Sequence, residues 1–419
     1  MEKVIFHIDA NSAFLSWTAA YRVRVLGETL DLREIPSAVA GSRENRQGVI
    51  LAKSLPAKRF GVKTGEPIFQ AQQKCPELVI VPPDYALYVE ASRHMLALLR
   101  EVAPTVEQYS IDEAWADMSG TEGLYGAPTV AADMLRRRIL DELGFTVNIG
   151  ISTNKLLAKM AGEFEKPNKV HTLYPWELEK KLWPLPVREL FMVGPATEKK
   201  LRLLGIYTIG QLAAADPQML VKKLHKAGLS LWHSANGRYN DIVVPVPEDN
   251  KGYGNAVTLP SDVTRSEQAY RVLLSLCETV GMRMRRDHKA ARRLGVSLRT
   301  NRFENFTHQM TLPNPEDSTE ALFRLACRIF DEAWDGMTPL RQLGVHAGQV
   351  EVRGARQYDL FSVRNAEDFE RQARLENTVD DLREKYGEGI LRRARFVGEE
   401  TVLAGGLSKE RRTGITKPV

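Results

Sequence analysis

Residues 109–117 read YSIDEAWAD, with Asp112 and Glu113 side by side in a run otherwise apolar at Ile111, Ala114 and Trp115. Neighbouring strand residues point to opposite faces, so a solvated edge explains one such acid more easily than both. The stretch KVIFHIDAN at 3–11 supplies a partner. Val4, Ile5, Phe6 and Ile8 suit a strand, and that strand ends in Asp9. Converging carboxylates repel by ~1 kcal/mol per close pair in water and ~4 kcal/mol near a protein surface, so such a cluster persists where a divalent cation neutralises it. Mg²⁺ takes a few carboxylates plus substrate phosphates. Two such ions clamp the attacking and leaving oxygens of phosphoryl transfer. Spacing alone leaves open three unrelated surface acids.

A chain of 419 residues allows two to four domains and ample core. Its 43% hydrophobic and 26% charged residues are ordinary for a soluble globular protein, and a net charge of +5 matters only where it is clustered. Cys75, Cys277 and Cys327 are odd in number and far apart, which argues against a disulfide framework or zinc site and fits a reducing cytoplasm. His7, Asp9 and Asn11 interrupt the first apolar run, so no secretory leader is expected. No apolar stretch is long enough to span a bilayer.

Residues 1–168 mix short strands with helical patterns, as in an α/β domain. Strands are expected at 3–9, 106–110, 114–118 and 145–151, around a basic, turn-rich portion at about 13–80. Residues 170–240 turn helical, and the Pro-containing 241–254 reads as a linker. Residues 255–353 return to alternation and hold the strongest basic cluster: eight Arg or Lys at 283–302 against the single Asp287. From 354 the chain begins a tail with QYDLF at 357–361 and continues as a charged, helix-like segment.

Three further segments carry chemistry. ILAKSLPAKRFGVKTGEP at 50–67 gathers Lys53, Lys58, Arg59 and Lys63 around two turns, cations suited to a triphosphate, although taken alone the segment reads more readily as a basic surface loop. GISTNKLLAKMAGEFEKPNK at 150–169 predicts a capped helix with a buried face, placing Lys155 and Lys159 on one side. VGPATEKKLRLLGI at 193–206 predicts a tight turn at Gly194 before a cationic helix, resembling a helix–hairpin–helix element whose backbone N–H groups hold a phosphate.

In this order the motifs resemble the Y-family (translesion) DNA polymerases of the bacterial polymerase IV and polymerase V types. FHIDANSAF is similar to the family's first metal motif, YSIDEA to its second, and NKLLAKMAGEFEKPN to its palm helix. The resemblance implies a multidomain α/β right-hand polymerase: palm at 1–12 and 81–168, small fingers at 13–80, helix–hairpin–helix thumb at 169–240, linker at 241–254, little finger at 255–353 and a tail at 354–419. It implies error-prone nucleotidyl transfer with two Mg²⁺ ions, Mn²⁺ being a possible substitute. Asp9, Asp112 and Glu113 would be the catalytic acids and, with the Ala10 carbonyl, the metal ligands. Phe14 takes the steric-gate position against the nucleotide sugar. Lys58 and Lys159 match positions that hold the triphosphate, and Gly194 the thumb hairpin on DNA.

Some positions depart from the family pattern. Leu55 stands where an aromatic is common, Lys58 where Arg is frequent, and Ala13 where a larger side chain is usual beside the gate. Asn11, often Asp in polymerase IV, leans toward polymerase V. Arg292, Arg293 and Arg299 are expected to contact phosphates. QYDLF resembles the peptides that dock bacterial polymerases on the sliding clamp, with Gln357, Leu360 and Phe361 as contacts. Primer-template DNA and deoxynucleoside triphosphates are the implied partners of a cytoplasmic monomer without membrane attachment. The rival readings are a catalytically silent polymerase-like subunit bridging DNA and clamp, and a metal-dependent nuclease using the same acids.

Overall fold

The computed structural model describes residues 3–42, 46, 48–240, 242–246, 249–354, 366–387 and 390–396. The chain divides into two units, the first mainly residues 3–40 and 50–246, the second mainly 249–396 with the described part of 41–49.

In the first unit the opening apolar run becomes β1 (Ile5–Ala10), buried along its whole length, followed by α1 (Ala13–Arg24). A small sheet of order β3-β2-β4 comes next, from β2 (Ser37–Ala40), β3 (Ile50–Lys53) and β4 (Val79–Val81). Helices α2 (Leu55–Arg59) and α3 (Ile68–Lys74) lie between its last two strands in sequence. The chain continues through α4 (Tyr85–Val102), β5 (Thr105–Gln108), β6 (Glu113–Asp117), α5 (Glu122–Tyr125) and α6 (Pro128–Leu143). It then forms β7 (Val147–Ser152), α7 (Lys155–Glu163) and β8 (Val170–Thr172). The main sheet has the order β5-β6-β1-β7-β8, antiparallel except for the parallel β7–β8 pair. Its strands lie within a few residues of the expected ranges. β8 and the small sheet have no counterpart among those expectations, because strands of three or four residues are too short to show alternation.

The period of two sorts the sheet's faces. Phe6 and Ile8 lie opposite Ala116 and Ala114 on one side and Ile151 and Ile149 on the other. These residues share a core with Met95, Leu99, Leu135 and Ile139 of α4 and α6. His7 and Asp9 point to the other face, toward α7. That helix starts where the Asn154 side chain accepts the Leu157 N–H at 2.9 Å. It sits very close to the sheet: a Cβ on Gly150 would lie 1.9 Å from the Ala158 carbonyl oxygen and 2.4 Å from the Gly162 nitrogen.

Residues 170–240 are helical as expected. Helices α8 (Pro195–Leu203), α9 (Ile209–Ala214), α10 (Pro217–Leu224) and α11 (Lys226–Ala235) share a core with Leu201, Ile209, Leu212, Leu220 and Leu231. The stretch read as a linker is partly anchored. Val243 is buried against Ile5, Trp115 and Ala158, and the Val244 N–H donates to Glu107 at 2.7 Å. Its apolar residues made it more than a spacer.

The second unit contains β9 (Gly252–Val263), α12 (Ser266–Arg286), β10 (Lys289–Thr300), β11 (Asn305–Glu316), α13 (Thr319–Ala333) and β12 (Leu340–Val352). An antiparallel sheet of order β11-β10-β12-β9 packs one face on α12 and α13. The charged segment of the tail, expected to be helix-like, forms α14 (Ala366–Tyr386), and buried charge pairs hold it to α12. Arg285 reaches Asp380 through Nε at 2.6 Å and Glu376 at 3.3 Å, while Glu278 holds Arg383 and Arg393 at 3.3 and 2.7 Å. Sequence patterning does not show which surface charges will pair across two helices. The QYDLF segment, with Gln357, Leu360 and Phe361, lies outside the described residues.

The close approach of α7 yields a test. Gly150→Ala places a methyl group against backbone that cannot swing away, so the fold should lose about 3 kcal/mol, the upper part of the usual overpacking range. Gly162→Ala, whose Cβ would meet nothing nearer than His7 Nδ1 at 3.5 Å, should cost far less. Chemical denaturation of the two variants distinguishes them, and equal losses would contradict the packing described.

Candidate active site

The two acids of YSIDEAWAD sit on different kinds of backbone. Glu113 opens β6, whereas Asp112 lies in a bend just before it. The bend is tied down by the Glu113 carbonyl, which accepts the N–H groups of Tyr109 at 3.0 Å and Ser110 at 3.2 Å. It is also joined to β1, because Ala10 N–H donates to the Asp112 carbonyl at 3.0 Å. Asp9 and Glu113 are directly opposed across the β1–β6 pair, so their side chains share the α7 face. The three acids expected from the motifs therefore meet at one end of β1.

Each acid has its own partners. Ser110 Oγ donates to Asp112 Oδ1 at 2.6 Å. Burial pushes the Asp112 carboxyl above the usual range, the Glu113 charge adding to it. Asp9 accepts from the Lys166 ammonium. Burial drives its pKa up to about 6; Lys166 pulls down, and the charges of Glu113 and Asp112 push further up. Glu113 accepts from His7 Nε2 at 3.0 Å and from Lys159. Burial opposes its ionisation, yet the His7 hydrogen bond and the Lys159 charge hold it down to about 2. His7 is fully buried, which depresses its pKa, and its Nδ1 has no hydrogen-bond partner. Among the described residues, no three His, Cys, Asp or Glu side chains are arranged as a metal site. The expected ligands converge, but ammonium groups serve as the nearest cations of Asp9 and Glu113.

The lysines of α7 are the less expected part. Lys155 and Lys159 share one side of the helix, as their spacing predicts, but both are buried. Lys155 grips Glu107 at 2.9 and 3.0 Å and lies 5.1 Å from the Trp115 ring centre. Lys159 lies 5.1 Å from the Tyr109 ring and 5.3 Å from that of Phe191. Asn11, read as a marker of type, belongs to an amide network: it donates to Asn148 Oδ1 at 3.1 Å and accepts the Asn168 N–H at 2.9 Å. Phe14, in the first turn of α1, is half-buried and stacks on Tyr88 at 4.4 Å with 5° between planes. Ala13 beside it is buried, so the ring is backed by Tyr88 instead of by a larger neighbour. Lys58 and Leu55 are exposed on α2, whose N-cap is Ser54 accepting the Ala57 N–H at 3.1 Å. Nothing lies within 4 Å of a Cβ built on Gly194, the N-cap of α8.

His7, Lys166 and Tyr88 were not singled out from sequence. The period of two in β1 carried a signal for His7, two residues before Asp9 and so on its face. Lys166 and Tyr88 arrive from distant segments and gave none.

On the second unit's sheet, Arg293 and Arg299 alternate with core residues Leu294, Val296 and Leu298, and so stand on the face away from the helices. Gly295, Gly344 and Gly348 share that face and keep it low. Arg299 donates to Asn305 at 2.6 Å. Arg292, at a β-bulge, pairs with Glu351 at 2.9 Å, an exposed pair of little net worth.

Residues 8–163 match the model of the impB/mucB/samB family, 250–360 that family's C-terminal domain, and 176–206 its HHH motif. The chain is 42% identical over 401 residues to DNA polymerase IV of Clostridium acetobutylicum, covering 96% of this chain and 100% of that one. The chain belongs to the Y-family DNA polymerases. It is 38% identical to DNA polymerase IV of Moorella thermoacetica, with 95% and 97% of the two chains covered. Among solved structures, a Y-family DNA polymerase chimera, Dbh-Dpo4(243-245)-Dbh, shares its fold with a TM-score of 0.71 at 22% identity, covering 83% of this chain and 99% of that one. A Y-family member is a DNA-directed DNA polymerase acting on primer-template DNA and deoxynucleoside triphosphates, and the family is divalent-metal dependent in general. These relatives are polymerase IV proteins, so the lean toward polymerase V drawn from Asn11 is not followed; its side chain ties β1 to β7. No helix among the described residues is long and apolar enough to cross a membrane.

The carboxylates give a pH signature. Asp9 holds its proton to about pH 6 in the fold but only to about 3.8 in the unfolded chain, so charging it costs stability progressively between those values. In buffer free of divalent ions, Asp9→Asn should leave stability unchanged near pH 3 and raise it by about 3 kcal/mol above pH 7. Melting curves across that range check it; a gain independent of pH would contradict the assignment.

Proposed function

We propose that the protein carries out error-prone translesion synthesis by Mg²⁺-dependent nucleotidyl transfer, with Asp9, Asp112 and Glu113 at its chemical centre. The observation that supports this best is their convergence at the end of β1, two acids opposed across a strand pair and the third in the adjoining bend. The donor set fits a hard divalent cation, being all oxygen, largely buried and self-repelling, and Asp9 already draws an ammonium group. Two Mg²⁺ ions, or Mn²⁺ in their place, would be held by Asp9, Ala10, Asp112 and Glu113. When bound, they would neutralise triphosphate charge and favour ionisation of the primer hydroxyl.

The protein's own groups do the remaining work. Lys159 and the exposed Lys58 would take the triphosphate, Lys159 exchanging Glu113 for phosphate oxygens. The Phe14 ring, held by Tyr88, would lie against the incoming sugar. In this reading residues 1–12 and 81–168 are the palm, 13–80 the fingers, 169–240 the thumb and 255–353 the little finger. Gly194, with open space around it, would receive the DNA backbone. Arg293 and Arg299 on the open sheet face would meet phosphates, joined by Arg292 once it leaves Glu351. Gln357, Leu360 and Phe361 would dock on the sliding clamp of a monomeric, cytoplasmic enzyme.

Asp112→Ala should abolish primer extension while leaving primer-template binding largely intact. Extension at the parent rate would remove the acid from the mechanism. Phe14→Ala should raise ribonucleotide incorporation on the order of 10²-fold, because a ring against C2′ displaces a ribonucleotide from in-line alignment. Deoxynucleotide use should fall much less, and single-nucleotide insertion with matched ribo- and deoxynucleotides reads the ratio. A folded variant that still rejects ribonucleotides as well as the parent would overturn the gate.

A further inference from the structure

His7 makes no contact that the resemblance assigns, and its setting is unusual for a residue that only fills space. It lies on β1 with no exposure, between the sheet and α7, its ring 5.6 Å from that of Trp115. Nε2 donates to Glu113 Oε2 at 3.0 Å, while Nδ1 is buried without a partner. An orphaned buried acceptor costs about 1–3 kcal/mol, which an apolar side chain of similar size would avoid. Gly162 of α7 lies over the ring, and a Cβ built there would be in ordinary contact with Nδ1 at 3.5 Å. One bonded nitrogen and one bare buried nitrogen define the neutral Nε2–H tautomer.

We infer that His7 is a positioning residue for Glu113, fixing its carboxylate from inside the sheet through the Nε2 hydrogen bond. The inference rests on Glu113 being a catalytic acid. Glu113 has two partners of different character. Lys159 brings a full charge on a long, rotatable stem, and its neutralising contact is the one a triphosphate would take away. His7 brings an uncharged donor on a short side chain locked by packing. When the lysine turns to phosphate, the imidazole still holds the Glu113 carboxylate from the side of the sheet. A supporting side chain of this kind is held as tightly as the group it serves.

Single-turnover insertion kinetics with the full chain test this. His7→Leu removes the donor and should lower the maximal rate about ten- to hundredfold, as loss of a supporting hydrogen bond does at comparable sites. The nucleotide KM and primer-template affinity should stay unchanged. His7→Gln, which offers an amide N–H in the same direction, should recover much of the loss even if its melting temperature matches that of His7→Leu. In a Glu113→Ala background, His7→Leu should have no further effect, because the two act as one unit. Full activity of Glu113→Ala would overturn the reading of Glu113 itself. A slow Glu113→Ala together with an unimpaired His7→Leu, or with additive losses, would overturn the role of His7 alone. Loss in both His7 variants that tracks only their melting temperatures would make it a packing residue.

Discussion

Directly opposed residues of an antiparallel pair hold their Cβ atoms about 4.5–5.5 Å apart, and here two such residues are the carboxylates Asp9 and Glu113. Placing two acids that close, largely out of water, is unfavourable in the fold taken alone. Much of the first unit's detail answers this strain. Glu113 is matched by His7 and Lys159, and Asp9 by Lys166. These lysines reach the sheet because α7 and the segment after it lie close against β1 and β7. That approach depends on Gly150, where a side chain would collide with the helix backbone.

The same arrangement separates the acids by chemistry. Glu113, bonded from two sides, stays ionised far below neutral pH, whereas burial pushes Asp9 up to about 6 and Asp112 upward as well. A fold selected for stability alone would not hold buried carboxylates in mutual repulsion. Clustered buried acids with shifted pKa values point to a functional site, which the proposed function assigns to a cation and a polyanionic substrate. The second unit carries charge differently. Its arginines Arg293 and Arg299 stand on an open sheet face beside glycines, the placement that the proposed phosphate contacts would use.

Two segments are held in ways that composition does not show. The linker and the tail are both rich in polar and charged residues, and the sequence reads them only as a connector and a helix-like extension. In the structure, Val243 is buried beside Trp115, and α14 is held by a buried network centred on Arg285, Glu278 and Arg383. Single apolar anchors and paired charges leave little trace in a one-dimensional pattern.

The sequence by itself determined four of the five strands of the main sheet, the helices around its motifs and the reaction class. The alternation in β1, the YSIDEA bend and the capped α7 helix are local, each governed by backbone sterics and side-chain period within about ten residues. The order of these motifs along the chain carried the family. What only the tertiary structure decided was the pairing: that Glu113 faces Asp9, that Lys159 reaches Glu113 instead of solvent, that Lys166 comes back to Asp9, and that Phe14 is braced by Tyr88. Those contacts join residues tens to more than a hundred positions apart. Strand register and helix–sheet distance set them, and both are properties of how the whole unit packs.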